Sequence, residues 1–171
     1  MNRRQMLWTS VAALAGVAGL LAGPHTLARA QGGGGDEPLV KSTATVTPVT
    51  VARGGKGTLT LTLKIKDGYH INGVEPGNEF AIATVFTGKA PAGVTYGKPV
   101  FPKAKPINMP GFETPINVYE GTAVVTIPFT VAKTAKPGKA TVGGSLRYQG
   151  CDDSSCFPPD SISVAAPVTV K

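Results

Sequence analysis

Cysteine, histidine and tryptophan are scarce in this sequence, and each scarcity excludes something. Of 171 residues, two are cysteine, two histidine and one tryptophan. A single pair, Cys151 and Cys156, cannot make the multi-bridge framework of a small disulfide-rich scaffold. His25 and Trp8 fall within residues 1–30, so the rest of the chain holds His70 alone. A Ser-His-Asp triad would have to use His70, and no Gly-x-Ser-x-Gly elbow is present. The Cys…Trp…Cys spacing of antibody domains is missing too. Aromatics make up 6% of residues and do not interleave with basic ones, so the scattered lysines read as a solvated surface rather than a nucleic-acid stripe. There is no internal repeat and no heptad.

The N-terminus reads as an export signal. Arg3 and Arg4 precede an apolar run from Met6 to about Ala22, Pro24 breaks it, and Ala28-Arg29-Ala30 fits a small-x-small cleavage site. "NRRQML" also loosely matches a twin-arginine signal. An uncleaved anchor is the alternative, since the run reaches the lower limit for a membrane span. No cysteine follows the run, which argues against a lipid anchor. The expected organisation is a signal over 1–30, a flexible glycine-rich tether over 31–40 and one domain over 41–171. Removing the signal takes away Arg3, Arg4 and Arg29 and lowers the net charge of +7 by three. Roughly 140 residues remain. A domain of that size buries about two thirds of its unfolded surface and needs no disulfide to fold.

Short runs of β-formers between 15 prolines and 22 glycines predict an all-β domain. In "TLTLTLKIK", residues 58–66, Leu59, Leu61, Leu63 and Ile65 share one face. Residues 123–131 alternate likewise, with Pro128 on the outward phase, which suits an edge strand. Val142, Leu146 and Tyr148 share a face of the next strand, and Ile162, Val164, Ala166, Val168 and Val170 share a face of the last. Residues 43–51 form a strand interrupted at Pro48, residues 80–86 read as a central strand, and 94–101 as a weaker one. "DGYHING" (67–73) reads as a turn or loop. Residues 102–118 hold four prolines and read as a long ordered loop or partial edge strand. Seven or eight alternating strands predict an immunoglobulin-like β-sandwich.

The cysteines sit where strand 141–149 turns into strand 160–170. In "CDDSSC" the Asp and Ser residues favour a turn, so the sulfurs can meet across the mouth of a hairpin. A staple here closes a ring of about six residues and contributes roughly 2 kcal/mol, the low end for disulfides. A tight, exposed disulfide is also the reducible kind. The residues alone leave a staple and a redox pair both open. A third option is a metal site: zinc with His70 and Asp152 or Asp153, or Cu(I) with Met109. Asp152 and Asp153 are expected to raise the thiol pKa and keep the reduced pair quiet.

"YQGCDDSSCFPP" (148–159) and "KIKDGYHI" (64–71) together resemble the N-terminal periplasmic domain of the thiol:disulfide interchange protein DsbD, over roughly residues 45–170. The resemblance implies an immunoglobulin-like sandwich whose pair cycles between dithiol and disulfide, an oxidoreductase-type electron carrier without a cofactor. It implies a periplasmic or otherwise exported location, thioredoxin-fold partners and a membrane electron conduit. The conduit would be a separate protein here, with no stable membrane insertion of this chain after signal cleavage. By position, Cys156 matches the cysteine that forms the mixed disulfide, Cys151 the one that resolves it, and Tyr69 the tyrosine of the "KDGY" turn. A cap loop is also implied; Phe112 is its expected shielding residue, with Met109 second. Tyr148, Phe157, Pro158, Pro159 and Phe112 are expected to offer an apolar docking surface, with core or turn packing as the alternative for each. The family pattern carries one more residue between its cysteines, and His70 or Asn72 stands where it has a further tyrosine. Two rivals remain: a secreted binding or scaffold domain with a permanent disulfide, and a copper-handling domain.

Overall fold

The structure, a computed structural model, describes residues 37–171. The signal expected over 1–30, and 31–36 of the expected tether, lie outside the described residues. Twelve strands follow in the order β1 (Val40–Thr47), β2 (Thr50–Val51), β3 (Lys56–Ile65), β4 (His70–Asn72), β5 (Val85–Lys89), β6 (Val94–Tyr96), β7 (Lys105–Ile107), β8 (Ile116–Glu120), β9 (Thr122–Val131), β10 (Gly138–Tyr148), β11 (Gly150–Cys151) and β12 (Asp160–Val170). They form three four-stranded sheets, ordered β1-β3-β9-β6, β2-β12-β10-β5 and β11-β4-β8-β7. Among the described residues there is no helix, and none long and apolar enough to cross a membrane.

The first two sheets make an immunoglobulin-like sandwich, and its cause is the period-2 alternation. Leu59, Leu61, Leu63 and Ile65 of β3 point inward together with Val125, Ile127, Phe129 and Val131 of β9. They pack in one cluster with Val142 and Leu146 of β10 and Val164, Ala166, Val168 and Val170 of β12. Full burial of each such side chain stabilises by about 1.5–3 kcal/mol. The segment around Pro48 changes sheets: β1 pairs with β3, and after the cis Thr47–Pro48 bond β2 runs parallel to the end of β12. The sandwich begins within the expected tether. Val40 is buried in β1, and the carbonyl of Leu39 accepts from the N–H of Lys66 at 2.9 Å.

Four expectations are corrected. First, Pro128 lies on an interior strand, since β9 has β3 on one side and β6 on the other. Its carbonyl accepts from Gly97 on the β6 side, so its missing N–H faces the gap where the chain leaves β6 before Val100 rejoins at Thr126. Second, 67–73 is not all turn. Gly68, at φ 78°, completes the turn, and β4 begins at His70. All three β4 residues are buried between β11 and β8, so no alternation betrays the strand. Third, 80–86 is not a central strand. Asn78 Oδ1 accepts from the Phe80 N–H at 2.9 Å, an Asx turn that leaves the Phe80 ring 77% exposed. The strand there, β5, starts only at Val85 and is an edge. Fourth, the count is twelve rather than seven or eight: the expected 43–51 strand divides into β1 and β2, the proline-rich segment contributes β7 and the start of β8, and β4 and β11 complete a third sheet.

Candidate functional site

The third sheet is where the sulfurs lie. β10 and β12 pair as far as Tyr148 opposite Asp160, and the hairpin then opens. Gly150 and Cys151 leave it to pair with Ile71 and His70 of β4. Gly150 lets Leu39 pack closely there: a Cβ on it would lie 2.5 Å from a methyl carbon of Leu39, which would have to move. The chain then reverses around Asp152. Its Oδ1 accepts from the N–H groups of Ser154 and Ser155, each at 2.8 Å, while its own N–H donates to the Ser155 carbonyl at 3.0 Å. The turn returns Cys156 opposite Cys151, and the two are disulfide-bonded. The N–H of Phe157 donates to the Gly150 carbonyl at 2.8 Å and closes the loop.

The two sulfurs differ in access. Cys151 is 0% exposed, whereas Cys156 is half-buried. Cys151 belongs to a small buried cluster with Ala81, Met109, Ile116 and Val118, against which Ile107, Phe112 and Cys156 pack. Met109 and Phe112 come from the loop between β7 and β8, where the Phe112 N–H donates to the Met109 carbonyl. Both cap candidates therefore reach the sulfur cluster, with Met109 the more deeply buried. Met109 Sδ lies 3.2 Å from His70 Nε2, and both side chains are buried. Burial pushes the His70 pKa down, against the opposing pull of Glu120, Asp153 and Asp152.

The rim is aromatic and charged. The Tyr69 and Phe157 rings are 5.9 Å apart, and Lys66 Nζ lies 5.3 Å from the Tyr69 centroid. Phe157 is 37% exposed, and Pro158 and Pro159 are exposed beside it. Asp153 is exposed and lines a shallow depression of about 290 Å³ with Lys66, Tyr69, His70 and Glu120. Asp152 is held as an anion by its hydrogen bonds to Ser154 and Ser155, which lower its pKa, so its carboxylate is engaged in building the turn.

Tyr148 is corrected. It is buried in the sandwich core rather than displayed for docking, and its hydroxyl donates to Asp160 Oδ2 at 3.2 Å. Burial, then the Asp160 charge, push the phenol up to about 12.

Sequence reasoning gave no role to Gln149, which ties the site together. Its Oε1 accepts from Asn72 Nδ2 at 3.0 Å and from the Ile82 N–H at 3.1 Å. Its Nε2 donates to the Phe157 carbonyl at 3.1 Å. Asn72 Nδ2 also donates to the Ile82 carbonyl, and Thr84 Oγ1 donates to the Asn72 carbonyl. The only available signal was the position of Gln149 directly before the Gly-Cys step.

The family model described as "Thiol:disulfide interchange protein DsbD, N-terminal" matches residues 36–167. Among solved structures, the N-terminal periplasmic domain of ScsB from Proteus mirabilis aligns at 15% identity with a TM-score of 0.51. The alignment covers 74% of this chain and 44% of that one, so this chain spans less than half of that structure's length. The DsbD N-terminal domain of Neisseria meningitidis, in its reduced form, aligns at 22% identity with a TM-score of 0.41, covering 66% of this chain and 82% of that one. A search of the curated proteins finds no match.

Proposed function

We propose, from the premise that the chain belongs to the family of DsbD N-terminal thiol:disulfide interchange domains, that it carries two electrons on Cys151 and Cys156 between exported thioredoxin-fold proteins. The observation that carries this reading is the asymmetry of the bonded pair: Cys151 is fully buried and Cys156 is partly exposed. A donor thiolate attacks Cys156 Sγ, breaks the Cys151–Cys156 bond and leaves Cys151 as the departing thiolate, which takes up a proton. The donor's second thiolate attacks the donor sulfur of the mixed disulfide. That releases Cys156 as a thiolate and leaves the donor oxidised. In the second half, Cys156 attacks an acceptor disulfide, and Cys151 displaces the reduced acceptor as the intramolecular bond re-forms. Two electrons pass, and the sulfurs carry both.

Supporting residues take roles from their positions. Met109 and Phe112 shield the pair from the β7–β8 loop. The Tyr69–Phe157 rim, with Pro158 and Pro159, receives the partner. Asp153, exposed beside His70, adds negative charge that disfavours a free thiolate until a partner covers it. The site is periplasmic or otherwise exported.

The test is the Cys151→Ala chain, reduced and mixed with an oxidised thioredoxin-fold protein. A stable mixed disulfide through Cys156 is the expected product. Its absence, together with resistance of the wild-type disulfide to reduced thioredoxin in the folded state, would leave a binding domain with a permanent staple.

A further inference from the structure

The contact between His70 and Met109 is not needed for thiol–disulfide exchange, yet both side chains are buried and meet beside the pair. We infer that the reduced domain is a Cu(I) site, with Cys151 Sγ, Cys156 Sγ, Met109 Sδ and His70 Nε2 as its donors. Three placements bring these atoms together. His70 and Cys151 are directly opposed residues of the β4–β11 pair, so their side chains leave the sheet on the same face. Met109 Sδ lies 3.2 Å from His70 Nε2. Met109 and Cys151 share one buried cluster, with Cys156 packed on its edge.

The donor set selects the ion. Thiolate and thioether sulfur favour Cu(I), and imidazole accepts it. Zinc sites use thiolate, imidazole and carboxylate, and a thioether is not among their ordinary donors. Among the described residues no three His, Cys, Asp or Glu side chains stand as a ready metal site, so the four donors must draw together once the disulfide is reduced. Glu120, Asp152 and Asp153 add negative charge around His70, partly offset by Lys66 at the rim. Cys156, the half-buried sulfur, is the side from which an ion enters.

No electron moves on binding. Two thiols give up their protons as two Cu–S bonds form, so uptake is accompanied by acid release. Because the same sulfurs carry electrons, metal occupancy and exchange with a partner exclude one another. The inference rests on the pair being reducible in the folded domain, as the proposed function requires. The test therefore uses a phosphine reductant, which converts the disulfide to two thiols as the phosphine becomes its oxide, and no partner protein.

The reduced full chain, freed of phosphine and kept anaerobic, is titrated with Cu(I) against a chromophoric chelator. The expected result is a single Cu(I) per chain, proton release, and an X-ray absorption spectrum with both sulfur and nitrogen scatterers. The oxidised chain and the chain alkylated at both thiols bind none. Met109→Leu conserves volume. It lowers Cu(I) affinity by more than the roughly tenfold that loss of an outer-shell partner costs. His70→Gln removes the nitrogen scatterers, and if that variant does not fold, Met109→Leu decides alone. Unchanged affinity in Met109→Leu overturns the four-donor site in favour of a bare dithiol chelate. Absence of binding by the reduced chain overturns it outright, as does zinc displacing Cu(I) at equal concentration. None of these outcomes bears on whether the metal-free protein forms the mixed disulfide, which tests the carrier role separately.

Discussion

The sandwich core and the sulfur cluster are both apolar, but they are built on different scales. The core is one contiguous cluster of 23 buried residues, 18 of them on strands of eight to eleven residues, with Ile71 and Tyr119 joining it from the third sheet. The sulfur cluster has five, held by strands of two to five residues and by loops. Stability in a protein is distributed in this way, with the global value reached only where many apolar contacts and long ladders coincide. The proposed exchange requires the small cluster to lose its bond, or lift its cap, while the sandwich keeps its packing, so that the sulfur–sulfur bond opens without the body unfolding.

The sharpest way to break this comparison is to remove the reachable sulfur. Cys156→Ala is expected to abolish exchange with any thioredoxin-fold partner while far-ultraviolet circular dichroism stays that of the wild type. Loss of the β spectrum would mean the two regions are one cooperative unit. Next in size is a cut into the core. Leu61→Ala, at a position 0% exposed, should cost about 2–5 kcal/mol in denaturant unfolding. Reduction of the wild-type disulfide should cost less, about 2 kcal/mol for so short a ring. If reduction costs as much as Leu61→Ala, the pair is a staple for the whole fold and the contrast fails.

The same contrast explains what was legible in the sequence. Leu59 to Ile65 and Val164 to Val170 announce themselves because one face is buried and the other wet, and a strand of that length repeats the pattern several times. β4 and β11 are buried throughout and too short to alternate, and Pro106 sits inside β7, so the third sheet was hidden. The cysteine pairing was visible as spacing and turn chemistry, because it is local. The meeting of His70 with Met109 spans 39 residues and depends on the path of a proline-rich loop, which no local rule supplies. Tyr148 was legible in one respect. Its register places it on the inward face with Val142 and Leu146, and the core holds it there, away from the rim where an exposed aromatic was expected.

Two titrations sharpen the comparison further, one in each region. The Tyr148 phenol is raised to about 12 from the ordinary tyrosine value near 10, chiefly by burial and then by the Asp160 charge. The folded state holds this proton more tightly than the unfolded chain. Its contribution is thus complete below the unfolded value and is lost as pH rises through the folded one. Unfolding free energy should therefore fall between about pH 10 and 12, and Tyr148→Phe should flatten that fall. A slope unchanged in the variant would assign it instead to Tyr96 and Tyr119, whose phenols burial also raises.

The smallest effect belongs to His70, in the sulfur cluster. Its pKa is lowered by burial, with the Glu120, Asp153 and Asp152 charges opposing. The unfolded chain then binds the His70 proton more readily than the folded one. Stability is fully present above the unfolded imidazole value of about 6.5 and declines as pH falls from there toward the lowered folded value. Because His70 packs on Met109 rather than in the sandwich core, the decline should be local. Amide exchange in β4 and β11 should quicken, relative to its ordinary pH dependence, as pH drops below about 6.5, while β3 and β9 stay protected. His70→Gln should remove the effect from the third sheet. If β3 loses protection over the same pH range as β4, the imidazole is coupled to the whole sandwich, and the sulfur cluster is not the separable region that exchange at Cys156 calls for.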